Sequence, residues 1–282
     1  MALVLAGYGD IGARIARQAQ TPCVGLNRSG RFVPGLDVRL LRGPLSELQQ
    51  GVQAADGVIW LAPPPPEGQT DNLIRQALAG VTGLRKLVYV STSGVYGDCQ
   101  GRWVDEGAPL AAQTPRAQRR MDAEAAVQSW AAQHAVDWAI VRVPGIYGPG
   151  RLPQRRLEQG APILAAALAP WSNRIHAEDL ARFLLLVLEQ GQGIYNISDG
   201  QPGTITQYYL AAAEVLGIAP PPQVRDAKEL GPALASYMAE SRRLDITRAQ
   251  QELGFVPHFP DFYAALPGCL QPDLQWQQPP PT

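Results

Sequence analysis

A chain of 282 residues and 30.4 kDa is long enough to bury one large core, with or without a smaller satellite. Its formal net charge of -1 gives no sign of a partner surface for nucleic acid or anionic lipid, and 46% apolar with 17% charged residues is globular composition. The longest apolar run, "APILAAALAPW" (161–171), is too short for a bilayer and is broken by Pro162 and Pro170.

No basic leader precedes the first apolar run, so the expected location is the cytoplasm. Cys23, Cys99 and Cys269 are far apart and odd in number, which implies no disulfide framework. His134, His176 and His258 lack ligand-like spacing, so no metal site is expected. Lys86 and Lys228 are the only lysines; the other basic residues are arginine.

In chain order, residues 2–7, 22–27, 37–41, 57–62, 86–92 and 137–143 read as strands. They are apolar on both faces, as parallel strands covered by helices are. Helical patterns fall near 10–20, 45–54, 69–81 and 113–134. This alternation predicts an α/β fold with a doubly wound parallel sheet. After "GIYGPG" (145–150) the rhythm changes. A polar, Arg-rich segment precedes an apolar helix opened by Glu178 and Asp179. A strand follows at 193–198, then a helix at 204–217 ended by Gly217, and a short helix with Asp245 as N-cap and Gly254 past its end. The expected organisation is a dinucleotide-binding domain over 1–148 and a smaller α/β lobe over 149–282. Residues around 174–200 are expected to return to the main sheet, and the tail 277–282 to fray.

The stretch "LVLAGYGDIGARIAR" sets Gly7-x-Gly9-x-x-Gly12 between the first strand and first helix. There the first glycine permits a tight turn, the second lets backbone approach a pyrophosphate, and the third allows close helix packing. Asp10 and Ile11 begin the helix whose positive end would meet the phosphates. This is the Rossmann pattern. At the end of the second strand, Asn27, Arg28 and Ser29 stand where an acid would take a free ribose 2′-hydroxyl. A guanidinium there fits a 2′-phosphate better, so NADP is preferred to NAD, unless Arg28 is simply a solvated loop residue. Leu61, Ala62 and Pro63, after the fourth strand, should border the cofactor. The prolines that follow form either a wall of the cleft or a rigid connection.

Further motifs resemble the extended short-chain dehydrogenase/reductases, which include NAD-dependent epimerases and dehydratases. "VYVSTSGVYG" (88–97) is similar to the family's fifth strand and catalytic Ser/Thr turn, and "VRVPGIYGPG" (141–150) to its nicotinamide-flanking segment. "RIHAEDLA" (174–181), "YNISDG" (195–200) and "RLDITRAQQELGF" (243–255) resemble its C-terminal landmarks. The resemblance implies that Thr92 bonds a substrate oxygen, and that Pro144, Gly145, Ile146 and Tyr147 lie near the nicotinamide. Family members often pair through helices that include the one at 113–134, which implies a homodimer.

The family's Tyr-x-x-x-Lys pair is not matched. Counting back from Glu124, the lysine position holds Arg120 and the tyrosine position Arg116, one helical turn apart. A guanidinium remains protonated and cannot relay a proton. Tyr96, Tyr147, Asp122 and Glu124 are candidates to replace the phenol. Arg116 or Arg120 could instead stabilise developing negative charge. The third strand ends "RGPL" (42–45), without the acid the family often places near adenine. His176 reads as a structural residue before a helix, while Arg242 and Arg243 could meet a substrate anion or pair on the surface. The resemblance implies an NAD(P)-dependent oxidoreductase or epimerase-like enzyme for a small polar, sugar-derived substrate. The alternative is a non-catalytic NAD(P)-binding sensor or scaffold.

Overall fold

In the computed structural model, which describes residues 2–52 and 57–278, strand β1 (Leu3–Ala6) is fully buried inside a seven-stranded sheet. The other members are β2 (Cys23–Asn27), β3 (Val38–Arg42), β4 (Gly57–Trp60), β5 (Lys86–Thr92), β7 (Asp137–Val143) and β12 (Gly193–Asn196). Their order is β12-β7-β5-β4-β1-β2-β3, and every pairing is parallel. Between β5 and β7 lies the two-residue strand β6 (Trp103–Val104).

Strand alternation explains the layers. Leu3 and Leu5 face a core that includes Ile11 and Ile15 of α1 (Asp10–Gln18) and Phe183 and Val187 of α6 (Ala177–Gln190). Val4 and Ala6 face the opposite core, with Ile74 of α3 (Asn72–Ala79) and Ala123 and Val127 of α4 (Pro115–His134). A sheet covered on both sides accounts for strands without a polar face.

The predicted helix over 45–54 is a 3₁₀ turn (Leu45–Glu47) followed by the single turn α2 (Leu48–Gly51); its expected end falls on residues 53–56, outside the described residues. β4 stops at Trp60, short of the predicted 62.

Beyond β7 the chain leaves the sheet. β8 (Gly145–Tyr147) pairs in parallel with β11 (Arg174–His176), β9 (Ile163–Leu164) with β14 (Gln223–Val224), and β10 (Trp171–Ser172) antiparallel with β13 (Gly203–Thr204). With α5 (Gln154–Glu158) and α7 (Ile205–Leu216) they enclose a separate apolar cluster that includes Tyr147, Leu164, Tyr208 and Leu266. α7 carries a reciprocal Thr204–Gln207 capping box and ends at left-handed Gly217 (φ 66°). β12 returns to the sheet against β7, and β15 (Arg243–Leu244) pairs with β6. The helix Thr247–Leu253 has Ile246, not Asp245, at its N-cap: Asp245 bonds the Thr247 amide from one residue further out.

The C-terminal segment crosses back to the loops that follow β1 and β2. Phe32 and Gln277 pair through their backbones, and the Trp276 ring meets the Tyr8 ring edge-on with centroids 5.9 Å apart. The predicted frayed tail is therefore anchored as far as Gln277; residues 279–282 lie outside the described residues. Between these contacts Asp273 takes both Nη atoms of Arg14, a fully buried arginine that also bonds Glu178, Asp10 and the Pro149 carbonyl. Arg14 thus ties α1, α6, the loop after β8 and the C-terminal segment together. Removing it leaves Asp10, Glu178 and Asp273, each about a quarter exposed, with only the more exposed Arg17 and Arg151 to offset them. Arg14→Met is expected to lower unfolding free energy by about 3 kcal/mol, read by urea denaturation; a change below about 1 kcal/mol would show that the clamp is not structural.

Candidate functional site

The site begins at a backbone constraint. Gly7 has φ +88°, and a Cβ built on it would lie 2.6 Å from the Ala62 amide nitrogen, so only glycine fits where β1 passes the end of β4. The Gly7 and Tyr8 amides both donate to the Leu26 carbonyl, which turns the chain into α1. Gly9, the N-cap of α1, differs: a Cβ there would find nothing nearer than 3.8 Å and would project into open space. At Gly12 a Cβ would press on Leu61 and the Tyr8 ring. The space at Gly9 and the start of α1 form the kind of cradle a dinucleotide pyrophosphate requires.

The cradle opens into a cleft of about 280 Å³. It is bordered by Gly7, Gly9, Asp10, Ile11 and Gly12, by Leu61 and Pro63 after β4, and by Val90, Ser91 and Thr92 at the end of β5. Arg116 and Arg120 of α4, and Pro144 and Ile146 after β7, complete its wall. A wider cleft of about 600 Å³ adjoins it and shares Thr92, Arg116, Pro144 and Ile146, with Gly145 added. Thr92 and Arg116 thus stand where the two spaces meet. Ala62 is buried behind the wall, where it sets the Gly7 contact and accepts a bond from Arg120.

The β2 end is built differently from expectation. Asn27 spends both ends of its amide on the turn: Nδ2 donates to the Tyr8 and Arg31 carbonyls, and Oδ1 accepts from the Gly30 amide at 2.6 Å. It shapes the loop and borders neither cleft. Arg28 and Ser29 are exposed beside it.

α4 places the arginines. Thr114 caps it by accepting from the Ala117 amide, and Pro115 occupies the first turn. Arg120 is buried, and its Nη1 donates to Val90 O at 2.8 Å, Tyr89 Oη at 2.9 Å and Ala62 O at 3.2 Å. Arg119 donates to Gly68 O at 2.7 Å. The two guanidiniums therefore fix both ends of the proline segment, and Pro63 forms wall as well as connection. Arg116 has no hydrogen-bond acceptor or acid within bonding distance among the described residues. Arg116 is solvent-exposed at the cleft's edge, and partial desolvation together with the like charges of Arg120 and Arg119 pulls its pKa down. An uncompensated cation beside a threonine hydroxyl favours an anion or a polarised oxygen.

Four proposed replacements for a phenolic acid are committed elsewhere. Tyr147 contradicts its expected place near the nicotinamide: β8 alternation sends Ile146 to the cleft and Tyr147 into the small-lobe core, against His176 and Phe262, with its pKa raised by burial. Tyr96 donates to Asn196 and accepts from Arg142, and burial pushes it up to about 12. Glu124 is buried against Arg142 and Ser91, and Asp122 binds Arg75 and the Asp71 amide. Tyr89 is a further phenol near the site, but it is wholly buried behind Arg120 and also pushed up to about 12 by burial.

His176 is the N-cap of α6, accepting from the Glu178 amide through Nδ1. Glu178 reaches α1, and Asp179 takes the His258 and Phe259 amides. Arg243 stacks over Trp103 and Trp171. Sequence reasoning missed Arg151, whose Nε bonds Asp10 at 2.6 Å across the mouth of the cofactor cleft, and Glu240, which lines the outer cleft beside Arg242. Asp10 borders the cleft with its charge offset by Arg14 and Arg151. Among the described residues, no three acidic, His or Cys side chains are grouped as metal ligands would be, and no helix is long and apolar enough to cross a membrane.

Comparison with known proteins agrees with this geometry. Residues 69–198 match the model of the NAD dependent epimerase/dehydratase family. Human dTDP-D-glucose 4,6-dehydratase is 28% identical over 134 residues, 44% of this chain and 38% of that protein, so the match spans well under half of the curated relative. A functionally unknown conserved protein from Silicibacter pomeroyi superposes with a TM-score of 0.76 at 26% identity, over 95% of this chain and 98% of its own. UDP-glucuronic acid 4-epimerase from Bacillus cereus, solved with NAD, superposes with a TM-score of 0.73, covering 95% and 97%; at 17% identity it speaks for the fold alone. The chain thus has an all-parallel Rossmann-like fold with a glycine cradle, and its residues 69–198 are similar to the NAD dependent epimerase/dehydratase family.

Proposed function

We propose that this chain is an NAD(P)-dependent, epimerase- or dehydratase-like oxidoreductase acting on a sugar-derived substrate of the sugar-nucleotide class. The observation that carries the reading is the placement of Thr92 and the uncompensated Arg116 at the junction of the two clefts. When bound, the nicotinamide supplies reversible hydride acceptance. Gly9 and the start of α1 hold the pyrophosphate, while Leu61, Pro63, Pro144 and Ile146 exclude water along the cofactor. Thr92 Oγ1 accepts from the Gly94 amide, which leaves its proton to donate to a substrate oxygen. Arg116 stabilises negative charge growing on that oxygen, without moving a proton itself.

Arg28 supports a preference for NADP: it is exposed at the end of β2, where no acid competes for a ribose hydroxyl. A second reading, a cofactor-binding sensor without turnover, is favoured by the burial of Tyr89, Tyr96 and Tyr147 away from the cleft.

Gly9→Ala separates folding from binding. Its backbone is extended (φ −147°), which alanine adopts freely, so the melting temperature should hold or rise slightly. The added methyl enters the phosphate cradle, and NAD affinity by calorimetry should fall by about tenfold or more. Unchanged affinity places the cofactor elsewhere. Arg28→Ala is expected to lower NADP affinity several-fold with NAD affinity held; an unchanged ratio removes the NADP preference. Thr92→Val and Arg116→Leu, assayed by NADH fluorescence on UDP- and dTDP-sugars, are each expected to cut turnover by about 100-fold with cofactor affinity intact. Tight cofactor binding with no wild-type turnover on any such sugar supports the sensor.

A further inference from the structure

Among the described residues, one carboxylate borders the outer cleft, and one of its oxygens has no donor. Glu240 Oε2 accepts from Arg242 Nη1 at 2.7 Å, and the same nitrogen donates to the Gly97 carbonyl at 2.7 Å. The pair's side chains are only 8% and 10% exposed, so the carboxylate is locked in orientation by a guanidinium that is itself locked to the backbone. Glu240 Oε1 is buried, and among the described residues no group donates to it. A carboxylate oxygen only accepts, and a buried one without a donor is a rare and costly arrangement.

The neighbours do not supply that donor. Arg151 is committed to Asp10, Pro144 has no amide hydrogen, and Arg116 is not within bonding distance of Glu240. Ser93 and Glu240 also border a small recess that continues from the outer cleft beneath Trp171. The outer space, about 600 Å³, is large enough for a hexose-sized group.

We propose that Glu240, oriented by Arg242, is the hydroxyl-accepting residue of the substrate cleft, with Oε1 receiving a hydrogen bond from a sugar hydroxyl while Arg116 faces the polarised oxygen beside Thr92. Glu240 then sets specificity for a hydroxylated ring in the cleft it shares with Arg116, and Arg242 is a positioning residue acting through it. This assignment rests on the sugar-nucleotide reading above.

The test uses the full chain saturated with NAD and compares UDP-glucose with UDP by calorimetry in wild type, Glu240→Ala and Glu240→Gln, with NAD affinity and melting temperature as controls for folding. Wild type is expected to bind UDP-glucose more tightly than UDP. Glu240→Ala should lose about tenfold in UDP-glucose affinity, the order expected for a hydrogen bond to a charged acceptor, while UDP and NAD affinities stay within about twofold. Glu240→Gln, which preserves size, should show a smaller loss in the same probe alone. Equal losses for both probes, or a fall in melting temperature with the glucose increment intact, would make the pair structural and overturn the assignment. If wild type binds NAD but neither UDP probe, the sugar-nucleotide reading itself fails and the assignment goes with it. If wild type binds both probes equally, that reading stands and only the role of Glu240 is lost.

Discussion

One buried carboxylate fixes the register of the site. Glu124 lies on α4 and accepts from Ser91 of β5 and from Nε and Nη2 of Arg142 on β7, in an ion pair whose side chains are each 2% exposed. Arg142 continues to the Glu106 carbonyl and the Tyr96 hydroxyl, and Tyr96 to Asn196 on β12. An ion pair this deep is tolerated only when its remaining donors and acceptors are met, and here they are met by groups from the neighbouring elements. The consequence is positional. Ser91 precedes Thr92, so holding one serine holds the threonine at the strand end. Arg120 and Arg116 lie one and two turns before Glu124 on the same side of α4, so the pair that docks the helix also aims both guanidiniums at the cleft.

The buried cations around the site are arginines. Arg120 serves three neutral oxygens from one nitrogen while its guanidinium carbon lies 5.4 Å from the Tyr89 ring centroid. Arg14 holds three acids and a carbonyl with its planar fork. Arg151 and Asp10 link the small lobe to the glycine turn, beside the place where phosphates would lie. Positive charge is thus spread around the nucleotide cleft, and most of it is already partnered. Arg116 stands apart, because its nearest charges have the same sign.

The fold and the cofactor end were legible because they follow from local rules. Strands without a polar face declare a covered parallel sheet, and the glycine spacing reports backbone approach directly: Gly7 abuts Ala62 where the motif requires it. Thr92 and Arg116 could be placed because they sit at fixed offsets from a strand end and from Glu124. The failures have physical causes. Family resemblance puts Tyr147 beside the nicotinamide together with Ile146, but strand alternation sends the two side chains to opposite faces. Asn27 was read as a ribose contact, but a two-ended amide at a tight turn is readily consumed by the turn itself. Asp245 caps from one position too early because its helix starts later. Glu240, Arg151 and Asp273 gave no local signal at all. Their roles arise from pairings over many residues, such as Asp273 with Arg14 and Arg151 with Asp10, which no periodicity encodes.

On the function proposed here, a cation rather than a phenol faces the reacting end of a bound dinucleotide. A crystal structure of the chain with NAD and UDP-glucose tests this most directly. The pyrophosphate is expected over Gly9, the nicotinamide between Pro144 and Thr92, and the Arg116 guanidinium within hydrogen-bonding distance of a sugar oxygen. A nicotinamide flanked by a tyrosine hydroxyl, with Arg116 turned out to solvent, would contradict that arrangement.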